Sequence, residues 1–271
     1  MFSLIVFLVS ILAGVLGALL GLGGGIIIVP VLTLGFGVDI KYAIAASLIS
    51  IIATSSGAAA SFLKDHLTNL RVAVLLEAGT VSGALVGFLI SSYANSSFLY
   101  IMYGTFLIFS ALMMLRKRGD NLSVLDHRWS TKLKLAGKFQ DQAGAMIDYR
   151  VANVPAGLIA MFFAGVLSAM LGIGSGIFKV LAMDGAMKLP MKVSSATSNF
   201  MIGVTASASA SAYLLRGDVR PEIASPVSLG IIVGAFYGAK LMPKMNAQTI
   251  KKIFVVVLMI VSIQMLMKGF Q

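Results

Sequence analysis

Long apolar runs separated by short polar stretches dominate the chain. The runs lie at residues 3–36, 42–62, 70–92, 98–115, 156–187, 193–214, 224–241 and 251–268. A bilayer core about 30 Å thick is crossed by about 20 helical residues, because a helix rises about 1.5 Å per residue. Most runs are therefore one crossing long. The pattern predicts an all-α polytopic membrane protein.

Two of these runs, 3–36 and 156–187, are too long for one straight helix. Each contains a cluster of glycines near its middle, GLGGG at Gly21–Gly25 and GIGSG at Gly172–Gly176. A glycine costs about 1 kcal/mol inside a helix and readily adopts positive φ. The sequence therefore predicts that each long run is a helix broken at its glycines.

The two halves of the chain are similar at a constant offset of 151 residues. Ala13–Ile26 (AGVLGALLGLGGGI) aligns with Ala164–Ile177 (AGVLSAMLGIGSGI), and ten of the fourteen positions are identical. The same offset pairs Lys41 with Lys192, Ser47 with Ser198, Thr54 with Thr205, and Gly79, Gly83 and Gly87 with Gly230, Gly234 and Gly238. This similarity predicts two four-segment repeats, 1–115 and 156–271. Duplicated, glycine-interrupted segments are typical of a transporter binding site.

A polar linker, residues 116–155, separates the predicted repeats. Its first 35 residues hold eight Lys/Arg and four Asp. The stretches KLKLAGKF and AMIDYRVANV flank the turn-like QDQAG, a pattern typical of a small β-hairpin.

The distribution of basic residues indicates how the repeats are oriented. If the linker is cytoplasmic and the run 156–187 crosses once, 13 basic residues lie inside and 7 outside, with Lys179 left out. If that run dips in and returns, the split is 16 to 4. The positive-inside rule favours the second arrangement. It makes the repeats inverted and each first segment a re-entrant hairpin whose break lies near the midplane of a multi-pass cytoplasmic-membrane protein.

Composition excludes several classes of function. Of the 271 residues 58% are hydrophobic and 11% charged, against about a quarter charged in soluble domains. The net charge of +11 is explained by basic loops, so no nucleic-acid partner is expected. The chain has no cysteine, and both histidines, His66 and His127, lie in polar stretches. We therefore expect no metal, no cofactor and no enzymatic activity.

The glycine breaks are the first candidate site. Helices that restart near Gly25 and Gly176 would direct free N–H groups at the midplane, and a helix N-terminus favours anions. The alternative is that the glycines only allow close helix packing. The candidate substrate-binding residues at the breaks are Gly23, Gly24, Gly25, Gly174, Ser175 and Gly176.

Lys179 follows the second break by one helical turn. An ionisable residue at membrane depth is a functional candidate, and a cation there suits an anionic substrate. The alternatives are snorkelling to the interface and an ion pair with Asp184. The equivalent residue of the first repeat is Ile28, so the charge is present in one half only.

Polar residues line the apolar run that follows each glycine-broken run. Ser47, Ser198 and Asn199 are candidate donors to an oxyanion, whereas the other hydroxyl groups of these helices are expected to hold helices together.

Glu77 lies about a turn and a half inside the run 70–92, on one face with Thr80. It is a candidate for proton coupling. The alternative is an ion pair with Arg71 near the membrane interface.

Together these motifs resemble the sulfite exporter TauE/SafE family of membrane permeases. The similarity rests on GLGGGIIIVPVL, GIGSGIFKV, SSATSNFMIG and the Ser47 helix, and it covers nearly the whole chain. It implies a secondary transporter of small sulfur-containing anions such as sulfite or sulfonates. An anion channel of the same fold is the alternative. The second repeat departs from the pattern at Ser175, which replaces a glycine, and at Leu181, which replaces Pro30.

Overall fold

Helices form nearly all of the described chain, as the sequence predicts. The structure, a computed structural model, describes residues 2–20, 24–64, 67–115, 128–140, 146–241 and 247–271. Its elements are α1 (Phe2–Leu20), α2 (Gly25–Pro30), α3 (Ile40–Lys64), α4 (Leu70–Tyr93), α5 (Ser96–Leu115), α6 (Arg128–Lys132), β1 (Gly137–Gln140), β2 (Met146–Tyr149), α7 (Val154–Leu171), α8 (Gly176–Leu181), α9 (Met191–Arg216), α10 (Pro221–Leu241) and α11 (Ala247–Phe270).

Both over-long apolar runs are interrupted at their glycines. In the first, α1 ends at Leu20 and α2 begins at Gly25, and in the second, α7 ends at Leu171 and α8 begins at Gly176. Each short second helix continues into one π-helical turn, Val31–Gly35 after α2 and Ala182–Ala186 after α8. The short helices and their π turns therefore recur at the 151-residue offset of the sequence.

Each interrupted segment folds back to the level at which it began. After α8 and its π turn, the Met187 carbonyl accepts a 2.9 Å hydrogen bond from the Ala152 N–H, just before α7. In the first segment, Phe36 packs edge-on against Phe2, with ring centroids 5.6 Å apart. We call residues 2–36 hairpin 1 and residues 154–187 hairpin 2.

Glycines allow the first arm of each hairpin, α1 or α7, to pack closely on a helix from the other half of the chain. A Cβ at Gly83 of α4 would lie 2.0 Å from the Phe162 carbonyl oxygen of α7, and one at Gly234 of α10 would lie 2.1 Å from the Ile11 carbonyl oxygen of α1. Any side chain at these positions would push the backbones apart. The α1–α10 and α4–α7 pairs are thus small-residue interfaces of the kind common in membranes.

The last helices of the two halves run in opposite directions. Gly104 of α5 packs on the Ser262 carbonyl of α11, whereas Gly269 of α11 packs on the Ser97 carbonyl of α5. Residue numbers thus rise along one helix as they fall along the other. In contrast, α4 and α9 run in the same direction, because Asn69 contacts Thr197 at one end and Tyr213 contacts Ser91 at the other.

The described part of the linker packs on the first turn of α4. Strands β1 and β2 pair antiparallel, and their Phe139 and Tyr149 join a cluster with Val72. The Asn69 amide donates 2.9 Å hydrogen bonds to the Leu135 carbonyl and the Tyr149 hydroxyl. Burial raises the pKa of Tyr149 above its ordinary value, so the phenol stays neutral in this contact.

Three of the described helices have the length and composition that a bilayer requires. Among the described residues, Leu70–Tyr93, Ser96–Leu115 and Val154–Leu171 are long and apolar enough to cross a membrane. Shorter apolar helical stretches occur at Phe2–Gly17, Gly25–Gly35, Ile40–Ser56 and Phe254–Phe270.

Candidate functional site

The two glycine breaks meet inside the protein. A Cβ at Gly25 would lie 2.9 Å from the Gly172 carbonyl oxygen, so the second arm of hairpin 1 touches the end of α7. Gly174 packs between Ile51 and Ile202, which occupy the middle of α3 and α9. The breaks therefore lie level with the centres of the two long helices.

The second break requires unusual backbone geometry. Gly172 and Gly174 both have φ of +66°, and Ser175 has φ of +49°. Glycine adopts this left-handed conformation freely, but a serine is strained in it. Ser175 is also 1% exposed, and within the described structure its hydroxyl has no hydrogen-bond partner. The break therefore holds a buried polar group with unused hydrogen-bonding capacity.

Ser47 and Ser198 tie the long helices to hairpin 2. The Ser47 hydroxyl donates a 2.5 Å hydrogen bond to the Gly172 carbonyl, and the Ser198 hydroxyl donates a 3.3 Å bond to the Gly176 carbonyl. Both serines are buried. A substrate oxygen would receive these hydrogens only if it replaced the two carbonyls as acceptor.

Lys179 is fully buried beside the second break. Its ammonium donates to the Met201 carbonyl at 3.0 Å and to the Thr205 hydroxyl, and its Nζ lies 3.7 Å from Glu77 Oε1. With 0% of the residue exposed, the side chain does not snorkel to the surface. Its ion-pair partner is Glu77 on α4.

The carboxylate of Glu77 is held by hydroxyl groups from two helices. Thr205 Oγ1 lies 3.0 Å from both carboxylate oxygens, and the Thr80 hydroxyl donates to Oε2. Arg71, the alternative partner of Glu77 suggested by the sequence, donates instead to the Lys134 carbonyl at 3.0 Å. Glu77 therefore pairs inward, toward hairpin 2. We call Glu77, Thr80, Lys179 and Thr205 the polar cluster.

The remaining candidate residues lie outside the polar cluster. Asn199 donates to the Ser195 carbonyl of its own helix at 3.0 Å, and Gly24 packs against Ile231 of α10. Gly23 falls outside the described residues, so its predicted place at the first break has no structural description.

Three residues outside the sequence-predicted site belong to this region. Thr80 and Thr205 bind Glu77, and buried Tyr103 of α5 directs its hydroxyl at the Gly25 and Ile26 carbonyls, 3.4 and 3.3 Å away. A tyrosine hydroxyl inside an apolar run needs a hydrogen-bond partner. This requirement is the feature of the sequence that could have singled out Tyr103.

Comparison with known proteins identifies relatives along the whole chain. A "Probable membrane transporter protein YunE" of Bacillus subtilis (strain 168) is 29% identical over 98% of this chain and 97% of its own length. "Probable membrane transporter protein YdhB" of the same organism is 26% identical over 89% of this chain and 92% of its own. "Probable membrane transporter protein MJ0441" of Methanocaldococcus jannaschii is 25% identical over 88% and 84%.

The family assignment rests on a match that covers most of the chain. No solved structure matches significantly. Residues 6–265 match the family described as sulfite exporter TauE/SafE, and this span includes hairpin 2, the polar cluster and all but the first four residues of hairpin 1. The chain is therefore a member of the sulfite exporter TauE/SafE family.

Proposed function

We propose that the protein is a secondary transporter that moves small sulfur-containing anions, such as sulfite or sulfonates, across the cytoplasmic membrane. One observation carries the proposal: two broken hairpins meet between the centres of α3 and α9, next to the buried cation of Lys179. Irregular backbone at membrane depth is tolerated where it lines a cavity or is buried in protein. A buried lysine beside such backbone suits an anionic substrate.

In the proposed arrangement the two halves are inverted repeats of a multi-pass protein. The opposite directions of α5 and α11 support it, since repeats of the same orientation would have corresponding helices parallel. The return of each hairpin to its starting level supports it as well. Hairpin 2 then opens toward the cytoplasm and hairpin 1 toward the outside.

The substrate anion would bind between the two breaks. Lys179 supplies the charge, Ser175 an unused hydroxyl, and Ser47 and Ser198 hydroxyls that turn from carbonyl to substrate oxygens. The full proposed set comprises Gly23, Gly24, Gly25, Ser47, Gly174, Ser175, Gly176, Lys179, Ser198 and Asn199. Sulfite and sulfonate groups present three oxygens, which match several donors arranged around one cation.

Alternating access would come from rocking one half against the other. The two hairpins are anchored at their bases by different parts of the chain. Lys268 of α11 donates to the Thr33 carbonyl of hairpin 1 at 2.6 Å, and Ala152 of the linker donates to the Met187 carbonyl of hairpin 2. Each base can therefore open while the other stays closed.

Ligand-induced stabilisation tests the proposed site directly. We expect sulfite or a short sulfonate to raise the melting temperature of the purified protein, because a ligand that binds the folded state stabilises it. Lys179→Ala should remove this shift. Lys192→Ala, which changes an exposed lysine at the start of α9, should retain it. Equal shifts in both variants would place the anion away from Lys179.

Labelling of single cysteines tests the inverted topology. The chain has no cysteine, so no background substitutions are needed. We expect an impermeant maleimide added to intact cells to label Asn95→Cys and Gln271→Cys, and to label Lys252→Cys only after permeabilisation. All three positions are exposed. Labelling of Lys252→Cys in intact cells would contradict inversion.

A further inference from the structure

The buried ion pair is connected through a hydroxyl relay that spans three elements. Lys179 of α8 donates to the Thr205 hydroxyl of α9, whose oxygen lies 3.0 Å from the Glu77 carboxylate of α4 and 2.9 Å from the Met201 carbonyl. The direct Nζ–Oε1 distance of 3.7 Å is longer than a charge-assisted hydrogen bond of about 2.7–2.9 Å. The carboxylate is therefore attracted to the lysine without being hydrogen-bonded to it, so the two groups can separate without the loss of a direct hydrogen bond.

The other charged groups of the neighbouring elements lie away from this pair. Helix α7, which packs on α4, has no ionisable side chain, and the charges of α9 are at its ends, Lys192 and Arg216. Arg71 of α4 bonds to the linker, and Asp184 follows Lys179 by five residues, in the π turn after α8. Within the described structure, Lys179 is the one cation in contact with Glu77.

The charge of this enclosed site constrains how an anion enters it. With Lys179 and Glu77 both ionised, the polar cluster is neutral. An added monoanion would leave one uncompensated negative charge in a buried site, which is strongly unfavourable. A proton on Glu77 restores neutrality and leaves the lysine to the anion.

We propose that Glu77 and the transported anion alternate as partners of Lys179, so that each anion crosses together with one proton. This inference rests on the proposed function. The proton enters from the same side as the anion and converts the Glu77 carboxylate to a carboxylic acid, while Lys179 stays protonated. On the other side the anion leaves, the proton returns to water, and the ion pair forms again.

Both states of this cycle are neutral at the polar cluster. The loaded protein holds an ammonium, a monoanion and an uncharged carboxylic acid, and the empty protein holds the ion pair. Both the loaded and the empty protein can therefore switch the site from one side of the membrane to the other without moving net charge. Transport of a monoanion should therefore respond to a pH gradient and be indifferent to the membrane potential.

Glu77→Gln in proteoliposomes tests the inference. The probe is methanesulfonate, whose charge does not change with pH, with sulfite measured in parallel. In the wild type we expect counterflow, and net uptake driven by an acidic exterior and unchanged by a potassium-diffusion potential. In Glu77→Gln the empty site keeps an unpaired ammonium and cannot reorient. Net uptake should fall at least tenfold, while anion–anion exchange continues without pH dependence.

The controls distinguish a failure of proton coupling from a failure of the proposed transport function. Glu222→Gln, which changes an exposed carboxylate at the start of α10, should behave like the wild type. Absence of counterflow of either anion in the wild type would overturn the proposed function itself. Counterflow with net uptake that ignores the pH gradient, or that follows the membrane potential, would overturn proton coupling alone. This wild-type readout decides the question even if Glu77→Gln does not fold.

Discussion

Replacement of Gly25 by valine should abolish transport while the protein still inserts into the membrane. A Cβ at this position would lie 2.5 Å from Ile51 Cδ1, 2.7 Å from Ser47 Oγ and 2.9 Å from the Gly172 carbonyl oxygen. The isoleucine can rotate, but the carbonyl is backbone, so the two breaks must separate. A displacement of about 1 Å at a functional site can reduce a rate on the order of a hundredfold. Initial uptake rates in proteoliposomes measure the loss.

Gly35→Val is the matched control for this variant. Gly35 ends the π turn of the same hairpin, and nothing lies within 4 Å of a Cβ built there. Its variant should transport at close to the wild-type rate. Expression and a single gel-filtration peak would establish that both variants are inserted and folded. Normal transport by Gly25→Val would contradict the role of the touching breaks.

Loss of the Lys179 charge should be the most destabilising of the single changes considered. Lys179→Met leaves the Glu77 carboxylate buried without its cation, and breaking a buried ion pair from one side costs about 3–5 kcal/mol. The double variant Lys179→Met/Glu77→Gln removes both charges and should recover most of that loss. Free energies of unfolding measured for the wild type, Lys179→Met, Glu77→Gln and the double variant give the coupling energy.

Lys192→Met provides the scale for this experiment. Lys192 is exposed, and surface substitutions usually change stability by no more than about 0.5 kcal/mol. If Lys179→Met matched it, the ammonium would contribute nothing to the fold. If the double variant were as unstable as Lys179→Met, the damage would come from lost packing of the side chain rather than from the unpaired carboxylate.

The breaks of the long helices could be predicted from sequence because their cause is local. Gly172 and Gly174 adopt the positive φ that glycine allows, and a cluster of glycines weakens a helix wherever it occurs. The fold-back of hairpin 2 was also accessible, although indirectly, through the positions of the basic residues that follow it. Both signals lie within a few residues of the feature that they predict.

The ion pair between Lys179 and Glu77 could not be predicted in the same way. The two residues are about 100 positions apart in the chain, and helical periodicity indicates which face a residue occupies but not which helix covers that face. The nearby candidates, Asp184 and Arg71, were therefore the natural partners to consider. The packing of hairpin 2 against α4 and α9 makes the actual pairing.

The same limit applies to the hydroxyl groups. Ser47, Ser198 and Thr205 all occupy α3 or α9, the long helices that follow the hairpins, and their sequence context is similar. In the structure two of them bind backbone carbonyls of hairpin 2, whereas Thr205 binds charged side chains. Their different environments arise from tertiary contacts with the second half of the chain, which carries Lys179.

The fold-back of the hairpins bears on how such a protein could arise. In the proposed topology the hairpin returns to the face from which it entered, so each half changes face only three times, through α3, α4 and α5 or through α9, α10 and α11. An odd number leaves the start and end of a half on opposite faces. A tandem gene duplication, joined by a connector that stays on one face, therefore produces an upside-down second copy without an additional spanning helix.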